Sequence, residues 1–139
     1  MKKPSVLFVC VKNGGKSQMA AALTRKKAAH AIDVFSGGTQ PGDSLNEESR
    51  KSVEAVGASF DGEYPKPIDP DLLRSVDRVV IVGGSAQVDQ VEGMRGSVET
   101  WDIAEPSLRG IEGEERMMLI RDEISKRVDT LIAQLTPHR

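Results

Sequence analysis

The residues best able to do chemistry lie together near the start of the chain. Cys10 is the only cysteine among 139 residues, and Val11, Lys12, Asn13, Gly14, Gly15, Lys16 and Ser17 follow it directly. A thiol becomes a nucleophile when it ionises, and a positive field favours that form. A short apolar run, Val6 to Val9, leads into the cysteine, and an Ala-rich run from Gln18 to Ala29 follows the loop. A strand, a glycine-bearing turn and a helix N-terminus make an anion site, because consecutive N–H groups point inward and the helix dipole favours negative charge. The spacing thus predicts a thiol nucleophile at the mouth of an oxyanion-binding loop formed by residues 11 to 17. The alternative is a buried structural cysteine at a strand end, which would leave two glycines and two lysines without a role.

Elements able to position this loop recur along the chain. Ala31 to Ser36 is a strand candidate running into the loop Gly37-Gly-Thr-Gln-Pro-Gly42. Ser44 to Val56 is expected to be a helix, with Ser44 as cap, Glu47 completing a capping box and Gly57 closing it. Residues 58 to 68, with Gly62, Pro65 and Pro67, read as a surface connection. Asp69-Pro-Asp-Leu-Leu-Arg opens a short helix with proline just inside its start. Arg78 to Val82 is a nearly all β-branched central strand ended by Gly83-Gly84. One or two helical turns are expected over Ser85 to Val91, a fourth strand over Ser97 to Trp101, and loop over 102 to 113. Glu114 to Leu135 carries apolar residues at Met118, Ile120, Ile124, Val128, Leu131 and Leu135, the pattern of a long helix. Alternating strands and helices predict an α/β sandwich around a parallel sheet, with ligands beyond the strands' carboxyl ends. That rule places Cys10, Gly37-Gly38, Gly83-Gly84 and the loop after Trp101 along one edge.

Composition narrows the function classes. One domain over 1–139 is expected, with 38% hydrophobic and 29% charged residues. A net charge of −2 gives no reason to expect nucleic acid or an anionic membrane as partner. The apolar run after Met1-Lys-Lys-Pro is too short for a signal peptide or a membrane span. A single cysteine cannot form an internal disulfide, so a cytoplasmic location is the default. His30 and His138 have no ligand-like spacing around them, and no metal or bound cofactor is expected.

Two known patterns could claim the loop. As a nucleotide-binding P-loop, Gly15, Lys16 and Ser17 match, but Cys10 stands where the first glycine of the phosphate wrap belongs. No later strand ends in an acidic magnesium ligand. As C-x5-[RK]-S, the loop resembles that of the low-molecular-weight protein tyrosine phosphatases and the arsenate reductases built on their fold. The likeness covers nearly the whole chain. Val-Leu-Phe-Val-Cys-Val-x-Asn is similar to the family's first strand and loop, with Asn13 at its loop-stabilising asparagine. Ser36-Gly-Gly-Thr39 is similar to the segment after strand two, and Trp101-Asp-Ile-Ala-Glu-Pro106 to the late segment that carries the general acid. Arg121-Asp-Glu-Ile resembles the final helix. Gln18-Met-Ala-Ala is closer to the reductase branch, and the phosphatases' aromatic residues beside the acid are missing after Pro106.

The resemblance implies a three-layer α/β sandwich with a four-stranded parallel sheet, low-molecular-weight phosphatase-like. It also implies arsenate as the substrate. Cys10 would attack arsenic, Lys16 would clamp the oxyanion, Ser17 would hydrogen-bond the thiolate, serve as the helix N-cap, or do both, and Glu105 would protonate the departing oxygen. Lys16 replaces the family's arginine, a point charge in place of a planar fork, and Lys12 is either a second cation for the oxyanion or a solvated side chain. Glu105-Pro106 replaces Asp-Pro, and Asp102 is read as structural. Members that work alone pass electrons through two further cysteines after the third strand, whereas here Val82-Gly-Gly-Ser-Ala-Gln-Val-Asp89 contains none. The resemblance therefore implies an external low-molecular-weight thiol, mycothiol with glutathione as alternative, and a mycoredoxin- or glutaredoxin-like reductant. A phosphatase working through phosphocysteine and a noncatalytic oxyanion- or nucleotide-binding module remain the other readings.

Overall fold

The fold was analysed in a computed structural model that describes residues 3–137; His138 and the basic Met1-Lys2 start lie outside them. Four strands, β1 Ser5–Cys10, β2 Asp33–Gly38, β3 Arg78–Val82 and β4 Ser97–Trp101, form one sheet in the order β2-β1-β3-β4. All three pairings are parallel. The central strand is inaccessible to solvent from Val6 to Val9, as a parallel strand covered on both faces must be. Alternate residues feed opposite layers. Val6, Phe8, Val80 and Val82 pack with the helices α1 Lys16–Ala28, α2 Glu47–Glu54 and α4 Gly113–Leu135. Leu7, Val9, Val79 and Ile81 face the other layer, where Leu72 and Leu73 of α3 Pro70–Ser75 lie. The expected three-layer sandwich is the observed one.

Several local expectations change. α2 starts at Glu47, not Ser44, and Asn46 is its cap, accepting from Ser49 N–H at 2.8 Å. Asn46 itself is extended, with φ −78° and ψ 121°, and its N–H donates to the carbonyl of Gly14 at 2.7 Å. Residues 85 to 91 form no helical turn. Ala86 and Val88, two apart, both join the α3-side core, a spacing that an extended chain supplies and a helix does not. On α4 the buried methionine is Met117, and Met118 is 48% exposed. Met117 lies three residues before Ile120 and shares its face, whereas Met118 lies two before it and does not. A short 3-10 turn, Pro106–Arg109, occupies part of the expected 102–113 loop. The 58–68 connection is more than surface: Ala58 and Phe60 are buried, and Gly38 pairs with Pro67 in an isolated bridge.

Candidate active site

The loop between β1 and α1 is defined by where its backbone groups go. Its carbonyls are all engaged. Those of Cys10, Val11, Lys12 and Gly14 accept from the N–H groups of Thr39, Gln40, Gly42 and Asn46 at 2.7–3.1 Å. The Asn13 carbonyl accepts from Gln18 Nε2 at 3.1 Å, and that of Gly15 from Met19 N–H at 2.8 Å. Among the described residues, none of the recorded hydrogen bonds uses the N–H of Lys12, Gly14 or Gly15. Carbonyls fixed outward and amides without protein acceptors are the backbone form of an anion site. Asn13 makes the wrap possible with φ 55°, a left-handed conformation that asparagine tolerates better than most residues.

The sulfur sits inside this wrap. Cys10 Sγ accepts from Asn13 N–H at 3.2 Å and lies 2.9 Å from Ser17 Oγ. The direction of the second bond follows from the neighbours. Lys66 N–H donates to Asn13 Oδ1 at 3.1 Å, which fixes that atom as oxygen. Asn13 Nδ2 therefore donates to Ser17 Oγ at 2.8 Å, and the serine's own proton is free to turn to the sulfur. Two donors converge on the thiol, the arrangement that a thiolate accepts. Ser17 is not the N-cap; Gly15 holds that position without a side-chain bond, and Ser17 lies inside the first turn.

The predicted edge assembles. Cys10 is paired with Gly38, and Val82 with Trp101, so the ends of all four strands meet. A Cβ on Gly38 would lie 2.7 Å from the Val11 carbonyl oxygen, so only glycine lets β2 pass beneath the loop. Lys16 lies along the end of β3, its Nζ 3.7 Å from where a Gly83 Cβ would stand. Lys12 is exposed, its stem along Gly42. Val11, Lys12, Asn13, Gly14 and Gly15, with Lys16 and Ser17 at the start of α1, thus form one continuous wrap around Cys10. Asp102 is exposed, and its carbonyl accepts from Arg127 at 2.9 Å.

Glu105 is placed differently from the expected proton donor. Both of its carboxylate oxygens are held by Arg116, from Nη2 at 2.6 Å and Nε at 2.8 Å, and Ser107 N–H adds a third bond at 3.1 Å. The Arg116 guanidinium, helped by Ser107, draws its pKa down to about 2 against the opposing effect of burial. Glu105 is therefore ionised near neutral pH and has no proton to give in this arrangement. It pins the 3-10 turn after β4 to the first turns of α4.

Sequence reasoning missed the supports of the site. Arg116, Gln18 and the Tyr64–Lys66 backbone each touch it. Gln18 Nε2 donates to the Asn13 carbonyl, to Asn13 Oδ1 and to the Tyr64 carbonyl at 3.1–3.2 Å, while its Oε1 is buried without a partner. The available signal for Gln18 was its place in the Gln18-Met-Ala-Ala run, which the family resemblance singled out without giving it a role. None existed for Arg116, whose partner lies 11 residues away.

Comparison with known proteins agrees with this geometry. Residues 5–139 match the family described as low molecular weight phosphotyrosine protein phosphatase. A Halobacterium salinarum protein provisionally named an arsenate reductase is 30% identical over 137 residues, covering 94% of this chain and 92% of that protein. A Synechocystis protein named glutaredoxin arsenate reductase is 27% identical, covering 98% and 100%. A solved arsenate reductase in a phosphate-binding state superposes with a TM-score of 0.81 at 25% identity, over 95% of this chain and 98% of that one. Sheet order, loop and these matches agree along almost the entire sequence: the chain belongs to the low molecular weight phosphotyrosine protein phosphatase family.

Proposed function

We propose that the chain is an arsenate reductase of the single-thiol kind, an arsenate–mycothiol transferase. The observation that carries the proposal is the pairing of a doubly hydrogen-bonded lone thiol with the free amides of Lys12, Gly14 and Gly15. A tetrahedral oxyanion such as arsenate suits those donors, and Lys16 adds charge as it develops. The Cys10 thiolate attacks arsenic(V). The S–As bond forms, one As–O bond breaks, and the oxygen departs as water. Dihydrogen arsenate carries both protons that this water needs, so the step balances without a proton from Glu105, which is ionised against Arg116. Glu105 is a positioning residue in this scheme.

The chain holds no second cysteine to attack the adduct, and thiol exchange requires such an attacker. The attacker is an external low-molecular-weight thiol, mycothiol with glutathione as alternative. A mycoredoxin- or glutaredoxin-like protein then reduces the arseno-thiol and releases arsenite. Turnover of arsenate with thiol and redoxin, compared with p-nitrophenyl phosphate and ATP, tests the reading. Arsenate turnover that requires the thiol is expected, and Cys10→Ser should abolish it while circular dichroism shows an intact fold. Ester hydrolysis without thiol would select the phosphatase. Steady turnover with thioredoxin alone would refute the external thiol.

A further inference from the structure

Gln18 lies in α1 between Ser17 and Met19 and is fully buried, as are Asn13 and Ser17. Its NH2 group faces three oxygens, the Asn13 carbonyl and Asn13 Oδ1 at 3.1 Å and the Tyr64 carbonyl at 3.2 Å. These neighbours fix which end of the amide is nitrogen, since the reverse orientation would set an oxygen against three oxygens. The other end, Oε1, is buried without a partner. An apolar side chain of similar volume, like the buried Met19 beside it, would fill the place without stranding an oxygen. Packing alone therefore does not account for a glutamine here. We propose that Gln18 is a positioning residue for the Cys10 nucleophile, acting through Asn13. The inference rests on the reading of Cys10 as nucleophile and extends it to a residue that does not itself touch the sulfur.

Both donors to the sulfur run through Asn13. Its backbone N–H reaches Cys10 Sγ directly at 3.2 Å, and its Nδ2 bonds Ser17 Oγ at 2.8 Å, which leaves the serine proton for the sulfur. Gln18 grips Asn13 at both its backbone carbonyl and its side-chain oxygen. That double hold braces the left-handed turn, φ 55°, and orients the amide that faces Ser17. The Tyr64 bond ties the same side chain to the segment whose Lys66 N–H also donates to Asn13 Oδ1. The side-chain donors make a chain of one sense: Gln18 N–H to Asn13, Asn13 N–H to Ser17, Ser17 O–H to the sulfur. Each link presents its positive end toward Cys10, and buried bonds in series polarise one another. The stranded Oε1 is the outer, negative end of that chain. The charged side chains around this edge are Lys12 and Lys16 on the wrap, Asp102 after β4, and Glu105 paired with Arg116. Arg25 of α1 and Lys66 are both paired with Glu63, at 3.5 and 3.0 Å. None of these side chains is a link of the chain, so a change at Gln18 leaves their charges in place.

Alkylation by iodoacetamide reads the thiol with no arsenate present, and so separates this inference from the choice of substrate. Gln18→Met keeps the volume and the helix propensity and removes the donors. In the full chain it should slow alkylation of Cys10 at neutral pH about tenfold and displace the pH profile upward by about one unit, the scale of one hydrogen bond to a charged group. Leu23→Ala, a core truncation on the same helix, should lower the melting temperature by several degrees and leave the profile in place. A second measurement uses the wild-type chain. In proton–nitrogen NMR spectra the Gln18 side-chain NH2 should move with the same midpoint as alkylation, and those of the exposed Gln87 and Gln90 should not. The Gln18 movement should vanish in Cys10→Ser. A Gln18→Met profile that overlays wild type, or one matched by Leu23→Ala, overturns the proposal. So does a Gln18 amide that ignores the titration, a result that decides alone should the variant fail to fold. The expected profiles without arsenate turnover would refute the reductase reading and leave Gln18 its role.

Discussion

Two segments leave neighbouring strands at the same edge of the sheet, each with a pair of glycines, and they are held in opposite ways. Residues 10 to 17, after β1, have six consecutive carbonyls bonded from outside and a four-residue relay from Lys66 through Asn13 and Ser17 to the sulfur. Residues 84 to 94, after β3, are held by two bonds of one turn, Met94 N–H to the Val91 carbonyl and Val91 N–H to Met94 Sδ, both at 3.2 Å, and by Ala86, Val88 and Met94 packing against the core. The first segment is over-determined, and the second is anchored by apolar side chains and a single turn. Preorganisation is therefore invested in the one loop where amides must face a charge without moving. The other need only stay clear of it.

Substitutions can break or sharpen that contrast. The largest effect is expected at Asn13→Ala, which orphans the Lys66 N–H and Ser17, and forces alanine into a left-handed conformation. Unpaired buried groups at about 1–3 kcal/mol each and the backbone strain predict a loss of about 3 kcal/mol in urea unfolding. The relay's loss should also lower turnover by on the order of 10²-fold, as removal of one preorganised donor does elsewhere.

Next come the glycines. Gly38→Ala drives a methyl to 2.7 Å from the Val11 oxygen and should destabilise by about 2 kcal/mol or more. Gly84→Ala meets only Asp102 Oδ1 at 3.6 Å, an ordinary contact, and should change stability by under about 0.5 kcal/mol. Equal losses at the two positions in thermal melts would erase the contrast.

Lys16 joins the two segments, and Lys16→Ala should weaken arsenate or sulfate binding by about 1.5–3 kcal/mol in calorimetry. Lys16→Arg should tighten it, because a planar fork replaces a point charge. Affinities equal to wild type would show that the lysine stays on β3.

The smallest effect concerns Glu105. Its pKa near 2 lies below the usual carboxylate range. The Arg116 pair accordingly stabilises the fold fully above about pH 4.5 and progressively less as the pH falls toward 2. Glu105→Gln should flatten the pH dependence of stability in that window, modestly, since both partners are over a quarter exposed. Turnover at neutral pH should fall less than threefold, by displacement of the 3-10 turn. A fall of 10²-fold or more with an altered pH–rate profile would restore Glu105 as proton donor.

The sequence made the strands and the loop legible because their signals are local. A run such as Val6 to Val9 or Arg78 to Val82 states its own burial, and a lone thiol before two glycines and a Lys-Ser pair states its own chemistry. What escaped is long-range pairing. Ser44 and Asn46 are both fair caps, and Asn46 serves, its backbone extended and its N–H on the Gly14 carbonyl some thirty residues upstream. Glu105 carries the spacing of an acid, yet its protonation is decided by Arg116 on the next helix. The 58–68 stretch has a loop's composition, but Lys66 lends it to the site through its backbone, which composition does not encode.

The outward-turned carbonyls of the Cys10 loop also bear on how this protein can drift over generations. The groups proposed to face the oxyanion at Lys12, Gly14 and Gly15 are main-chain amides, which every residue but proline possesses, so most replacements at those positions leave them in place. What mutation can reach is the outer scaffold, where Thr39, Gln40, Gly42 and Asn46 grip the loop from behind. Heritable loss of the site should therefore map to residues that never meet the anion, and proline at Gln40 or Gly42, lacking the N–H that holds a carbonyl, would be among the most damaging replacements.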